Sequence, residues 1–125
     1  MNDPFVPPRR SWPAKFAAAF RGWMLGSRGQ SSFHVHFPVA AVVVGTAAYL
    51  RVTTTEWCLL VVCIAAVLSA ELLNSALESL AKAISRTENE HVARALDIAS
   101  GAVLLMGLGS AIVGLCIFVP RFWPH

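Results

Sequence analysis

Glu71, Asn74, Glu78 and Lys82 punctuate AELLNSALESLAKAIS (residues 70–85), a stretch otherwise made of Leu, Ala, Ser and Ile. On a helix, with Glu71 as the zero angle, Asn74 lies at about −60°, Glu78 at about −20° and Lys82 at about +20°. All four share one face, with Ser75 beside them. Ionisable groups at membrane depth cost at least a few kcal/mol and mark function by default. Further along, Arg94, Asp97 and Gly101 repeat the spacing at i, i+3 and i+7. If the two segments form a hairpin, Glu71, Glu78 and Asp97 converge. Three neighbouring carboxylates repel one another unless a cation joins them, and hard oxygen ligands suit Mg²⁺. The alternative is an ion-pair network in which Lys82 and Arg94 neutralise Glu78 and Asp97 for packing alone. The residues by themselves leave both readings open.

The rest of the chain says where such a site would sit. Its 125 residues suffice for one domain, and 56% are hydrophobic while only 14% are charged. Soluble domains carry roughly 25% charged residues, and a small soluble body needs more polar surface than this chain has. A membrane protein is the class that fits. The net charge of +3 is not a nucleic-acid stripe, because Arg9, Arg10, Lys15, Arg21 and Arg28 simply precede the first apolar run, as basic residues do on the cytoplasmic side of a span. Cys58, Cys63 and Cys116 lie in apolar stretches at no metal-binding or disulfide spacing and read as small apolar fillers.

Residues 1–12 read as a flexible tail, not a signal peptide, and residues 13–125 as one membrane domain. Pro13 opens a short helix whose Phe16, Ala19, Phe20 and Trp23 share a face, which suits the membrane interface. Three spans are expected to follow. The first covers about Phe37 to Val52, extended backward through SSFHVH. The second starts at Trp57 and runs unbroken into the Glu71 stripe, with no Pro or Gly between Arg51 and Ser100. The third covers about Ala95 to Val119 and stops at Pro120, Arg121 and Trp123. In the third span Gly107/Ala111 and Ser110/Gly114 are small residues four apart, the spacing that lets membrane helices approach closely. Lys/Arg counts put the N-terminus and the SRTENEH turn inside, and the C-terminus outside. His34 and His36 flank Val35 like a metal pair, but without further partners they read as interfacial or headgroup residues. His91 reads as a solvated turn residue, and Trp12, Trp23, Trp57 and Trp123 as interface anchors.

AELLNSALE, followed by ALDIASGAVLL with nineteen residues from Glu78 to Asp97, resembles the prokaryotic diacylglycerol kinase family, which includes undecaprenol kinases. That signature reads E-x-x-N-[ST]-A-[IL]-E, then K-D-x-[AG]-[AS]-[AG]-A-V-L. The likeness runs from Phe16 to about Val119, including Arg21-Gly22 and SFHVH. It implies an all-α, homotrimeric enzyme of the bacterial inner membrane: an interfacial amphipathic helix plus three transmembrane helices per protomer. It also implies transfer of the γ-phosphoryl group of ATP, with Mg²⁺, to the hydroxyl of a membrane lipid. Carried across by position, Glu71 matches the general base, Asn74 the amide beside it, Glu78 a Mg²⁺ ligand and Asp97 an acid at the nucleotide. Three positions depart from the family pattern. Gln30 stands where a second metal-binding Glu is usual, Lys82 where an Asp is usual, and Leu96 where a phosphate-binding Lys is usual. Gln30 still offers a neutral oxygen to the metal, and Lys82, Arg94 or Arg28 is left to supply the missing cation.

Three functions compete. A lipid kinase needs a cation on the phosphates and a group to orient or deprotonate the hydroxyl. No G-x-x-x-x-G-K-[ST] loop occurs, so its nucleotide site is not of the Walker kind. A catalytically impaired homologue that binds lipid or a partner would have no need to retain Glu71, Asn74, Glu78 and Asp97 together. A small multidrug transporter needs four spans and an early acid, which this chain lacks.

Overall fold

The computed structural model describes residues 9–28, 31–84 and 87–123, the side chains of 27–28 and 31–34 apart. It contains four helices: α1 Trp12–Arg28, α2 Ser31–Leu50, α3 Thr54–Ile84 and α4 Glu90–Phe122. Helices α3 and α4 are long and apolar enough to cross a membrane, and α2 contributes a shorter apolar stretch, Val35–Leu50. At 1.5 Å per residue α3 extends about 46 Å, well beyond a hydrocarbon core of about 30 Å. The stripe of Glu71, Asn74, Glu78 and Lys82 therefore occupies the last turns of a helix that is apolar without interruption from Trp57 to Leu68. Much of the apolar surface faces outward, including Leu104, Leu105, Leu108, Ile112 and Leu115 on α4, as suits a helix pair solvated by lipid.

One end of the bundle is fastened tightly. Where α2 ends, the Arg51 amide bonds to the Ala48 carbonyl and the Val52 amide to the Ala47 carbonyl. Arg51 itself adopts a positive φ of 51°. This is the Schellman closure usually given to glycine; a non-glycine residue there costs roughly 1–2 kcal/mol. Next, Thr53 and Glu56 cap α3 reciprocally, the Glu56 amide donating to Thr53 Oγ1 and the Thr53 amide to Glu56 Oε1. Glu56 also receives Arg121 from α4 in a two-pronged ion pair, with Nη1 2.9 Å from Oε2. Ala47, Val52, Leu60 and Ile117 form the buried core just below, and Trp57 packs against them. Trp57 is thus part of the core's surround, whereas Trp12 and Trp123 remain exposed.

The third apolar run is expected to stop at Pro120, Arg121 and Trp123, and α4 ends within those residues. Helix α4 carries that proline inside it and ends at Phe122. The turn survives because Arg121 Nη1 donates to the Ile117 carbonyl and the Trp123 amide to that of Val119, satisfying carbonyls the helix end leaves open. At the other end Asn89 caps α4, accepting from the His91 and Val92 amides through Oδ1. His91 is exposed in that first turn.

The small residues of α4 have a partner within the chain. Gly107, Ser110 and Gly114 are half-buried and border α2 and α3, and Ser110 Oγ donates to the Cys63 carbonyl at 3.5 Å. Their role in close approach is thus taken up at least partly by the α3–α4 pair, the most extensive helix interface in the protomer. The helix α1 meets α3 where a Cβ on Gly26 would come within 2.5 Å of Leu72 Cδ2. The absent side chain permits that approach. Phe16 and Phe20 on α1 stay largely exposed.

Candidate active site

Glu71 is the buried member of the stripe, at 3% exposure. Its Oε1 lies 2.9 Å from Nε2 of His36 on α2. On the next turn Ser75, also buried, donates its hydroxyl to the Glu71 carbonyl at 3.0 Å. One turn further, Asn74 Nδ2 donates to Glu78 Oε1 at 3.0 Å. The other amide atom, Asn74 Oδ1, is buried and has no hydrogen-bond partner among the described residues. Such an orphaned acceptor costs about 1–3 kcal/mol, and it is the kind of oxygen that a hydroxyl or a hard cation can use.

Among the described residues several spaces border α3 here, including one of about 510 Å³ between α1 and α3 that reaches Ser75; two others concern the polar line. An apolar crevice of about 280 Å³ runs between α2, α3 and α4, from Leu60 and Gly114 at its deep end to His36 at the site. A wider cleft of about 790 Å³ opens between the end of α3 and the start of α4, lined by Glu78, Lys82, Glu88, Glu90 and Leu96 among others. The first, oily space reaches His36, the partner of Glu71; the second, wetter one is walled by Glu78, about two turns further along α3, and by Lys82.

The expected convergence of three carboxylates is not seen. Among the described residues no three His, Cys, Asp or Glu side chains come close enough to hold a metal together. Helical register explains it. Leu96 is half-buried on the cleft wall, and Asp97, about 100° further round the helix, is exposed and lines neither space. Nor does the compensating ion-pair network form. Arg94 bonds to Glu90 on its own helix at 3.3 Å, and neither Lys82 nor Asp97 enters an ion pair among the described residues. Gln30 lies outside the described residues, as do the side chains of Arg28 and His34.

The structure thus gathers Glu71, Asn74, Glu78 and Lys82, leaves Asp97 and Arg94 outside that group, and adds His36. The sequence singled out His36 within SFHVH of the family likeness and as half of an apparent metal pair, and read it as an interfacial or headgroup residue. Its partner is 35 residues away and no spacing rule links them.

A profile of the prokaryotic diacylglycerol kinase family matches residues 17–118. This chain belongs to that family. Among curated relatives, the undecaprenol kinase of Bacillus subtilis (strain 168) is 31% identical over 106 residues, covering 85% of this chain and 86% of the relative. The diacylglycerol kinase of Synechocystis sp. (strain ATCC 27184 / PCC 6803 / Kazusa) is also 31% identical over 106 residues, covering 84% of this chain and 61% of that longer relative. The family match contains α2, α3 and nearly all of α4, so His36, Glu71, Asn74, Glu78, Lys82 and Asp97 all lie within it.

Proposed function

We propose that this protein is an ATP-dependent lipid kinase that phosphorylates the hydroxyl of a membrane lipid, diacylglycerol or undecaprenol in class, at the cytoplasmic face of the bacterial inner membrane. The observation that carries the reading is Glu71: a buried carboxylate bonded to His36 at the end of an apolar crevice, about two turns before Glu78 on the wall of the wider cleft, within the family match. In this reading the crevice takes the lipid chain, and its His36 end presents the hydroxyl to Glu71. The wet cleft takes the phosphates. Glu71 accepts the hydroxyl proton as the lipid oxygen bonds to the γ-phosphorus; the bond from that phosphorus to the β–γ bridging oxygen breaks and ADP leaves.

The residues fit Mg²⁺ in kind. Glu78 offers an anionic oxygen and Asn74 an unpartnered neutral one, and Mg²⁺ commonly takes one or two protein oxygens together with substrate phosphates. Gln30 is a further neutral donor by position in the family motif. When bound, the ion would neutralise charge on the transferring phosphate. Lys82, on the cleft wall, is assigned to the nucleotide in place of the lysine missing at Leu96; Arg94 and Asp97, which do not line the cleft, keep a nucleotide-side assignment from their place in the sequence alone. Three spans per protomer, an interfacial α1, an inside N-terminus and a homotrimer complete the proposal. They are supported by the exposed apolar faces of α2 and α4 and by the exposed aromatic residues of α1.

The test is phosphorylation of a panel of lipid alcohols by purified protein with labelled ATP, alongside Glu71→Gln. Wild type is expected to label one class of acceptor. Glu71→Gln keeps the shape but removes the base, for an expected loss of about 10²–10⁴-fold. A chain that labels no lipid alcohol, or a Glu71→Gln variant within a few-fold of wild type, refutes the assignment.

A further inference from the structure

We infer that His36 is the positioning residue for Glu71: through Nε2 it holds the carboxylate in the orientation needed to take the lipid hydroxyl proton. The inference rests on Glu71 acting as the base. A glutamate side chain has three rotatable bonds, and a fixed carboxylate orientation needs a bonded partner. Here that partner arrives from α2, with Nε2 2.9 Å from Oε1. The imidazole is itself mostly covered, at 27% side-chain exposure against 5% for Glu71. When Glu71 is ionised, as a base must be, the bond requires Nε2–H to donate. A carboxylate has about four acceptor sites, so the His36 bond does not by itself exhaust them.

The two carboxylates of the stripe are oriented in different ways. Glu78 is held by Asn74 one turn earlier on the same helix, a contact α3 can make alone. Glu71 is held across a helix interface, so its orientation depends on how α2 sits against α3. His36 also borders the apolar crevice, so the residue that orients the base forms the end wall of the space assigned to the lipid. A metal role for this histidine finds no support among the described residues, where no third ligand accompanies it and Glu71.

The test uses full-length protein in lipid bilayers. His36→Ala is expected to lower kcat about 10- to 100-fold, the scale on which misplacement of a reacting group is felt, while KM for ATP stays within about threefold because the nucleotide cleft is untouched. His36→Gln carries an amide N–H at the reach of Nε2 and is expected to restore most of kcat; His36→Asn falls short by one carbon and is not. The double variant His36→Ala/Glu71→Gln should be no slower than Glu71→Gln alone, since His36 acts only through Glu71. The contact is also read without turnover. In ¹⁵N-histidine spectra, Glu71→Gln should shift the ring-nitrogen signals of His36, and this measurement decides the matter should His36→Ala fail to assemble. Wild-type kcat in His36→Ala, with Glu71→Gln inactive, overturns the positioning role and leaves the base standing. An active Glu71→Gln overturns both, and unchanged His36 signals overturn the pairing.

Discussion

Replacing Lys82 with methionine separates a phosphate ligand from a surface charge. Lys82 is exposed, lines the wet cleft beside Glu78, and enters no ion pair among the described residues. Lys82→Met therefore removes a charge without breaking a visible structural contact, and assembly should be unaffected. A unit charge about 4 Å from a phosphate charge contributes about 1 kcal/mol in water-like surroundings and about 4 kcal/mol at an intermediate dielectric. With a factor of ten for each 1.4 kcal/mol or so, the loss lies between about 5-fold and about 1,000-fold. Exposure places Lys82 toward the lower end, so we expect a loss of about tenfold or somewhat more, in kcat or as a raised KM for ATP. The assay is initial rate against ATP at saturating Mg²⁺ with one lipid acceptor. Adding Leu96→Lys to Lys82→Met should recover part of the loss, because Leu96 lines the same cleft and a lysine there brings an ammonium to the same space. Wild-type kcat and KM in Lys82→Met would refute the argument and place the required cation elsewhere.

Leu60→Ala, at a core position only 3% exposed, should destabilise the bundle by about 2–5 kcal/mol, read as a lower thermal midpoint in a fixed detergent. Arg121→Ala removes both prongs to Glu56 and the bond to the Ile117 carbonyl; it should lower the thermal midpoint yet leave kcat near wild type, because the clamp lies at the opposite end of α3 from Glu71. Asn74→Ala frees Glu78 from its same-helix donor and should raise the Mg²⁺ concentration needed for half-maximal rate, whereas an unchanged Mg²⁺ dependence would remove Asn74 from the metal side. The active particle should have the mass of a trimer by native mass spectrometry, and an active monomer would refute that assembly.

The elements were legible because their causes are local. An unbroken apolar run without Pro or Gly specifies α3, and Glu71, Asn74, Glu78 and Lys82 share a face whatever surrounds them, since 3.6 residues per turn fixes that arrangement. The Thr53–Glu56 capping pair also has a local signature, threonine followed three residues later by glutamate. The family, too, was readable in the spacing of Glu71, Asn74, Glu78 and Asp97, and the profile match over residues 17–118 agrees with it. Contacts between helices were not legible, because no spacing rule relates residues that meet only after packing. Pairing His36 with Glu71 requires α2 to lie against α3 in one register, and joining Arg121 to Glu56 requires the α3–α4 hairpin to close in another. The same dependence reversed one expectation. A difference of one residue, about 100° on a helix, turns Leu96 toward the cleft and Asp97 out of it. The end of α4 combines both kinds of information: the sequence placed it at Pro120, Arg121 and Trp123, and the bonds of Arg121 and Trp123 to helix carbonyls, visible only in the structure, carry the helix past Pro120 to Phe122.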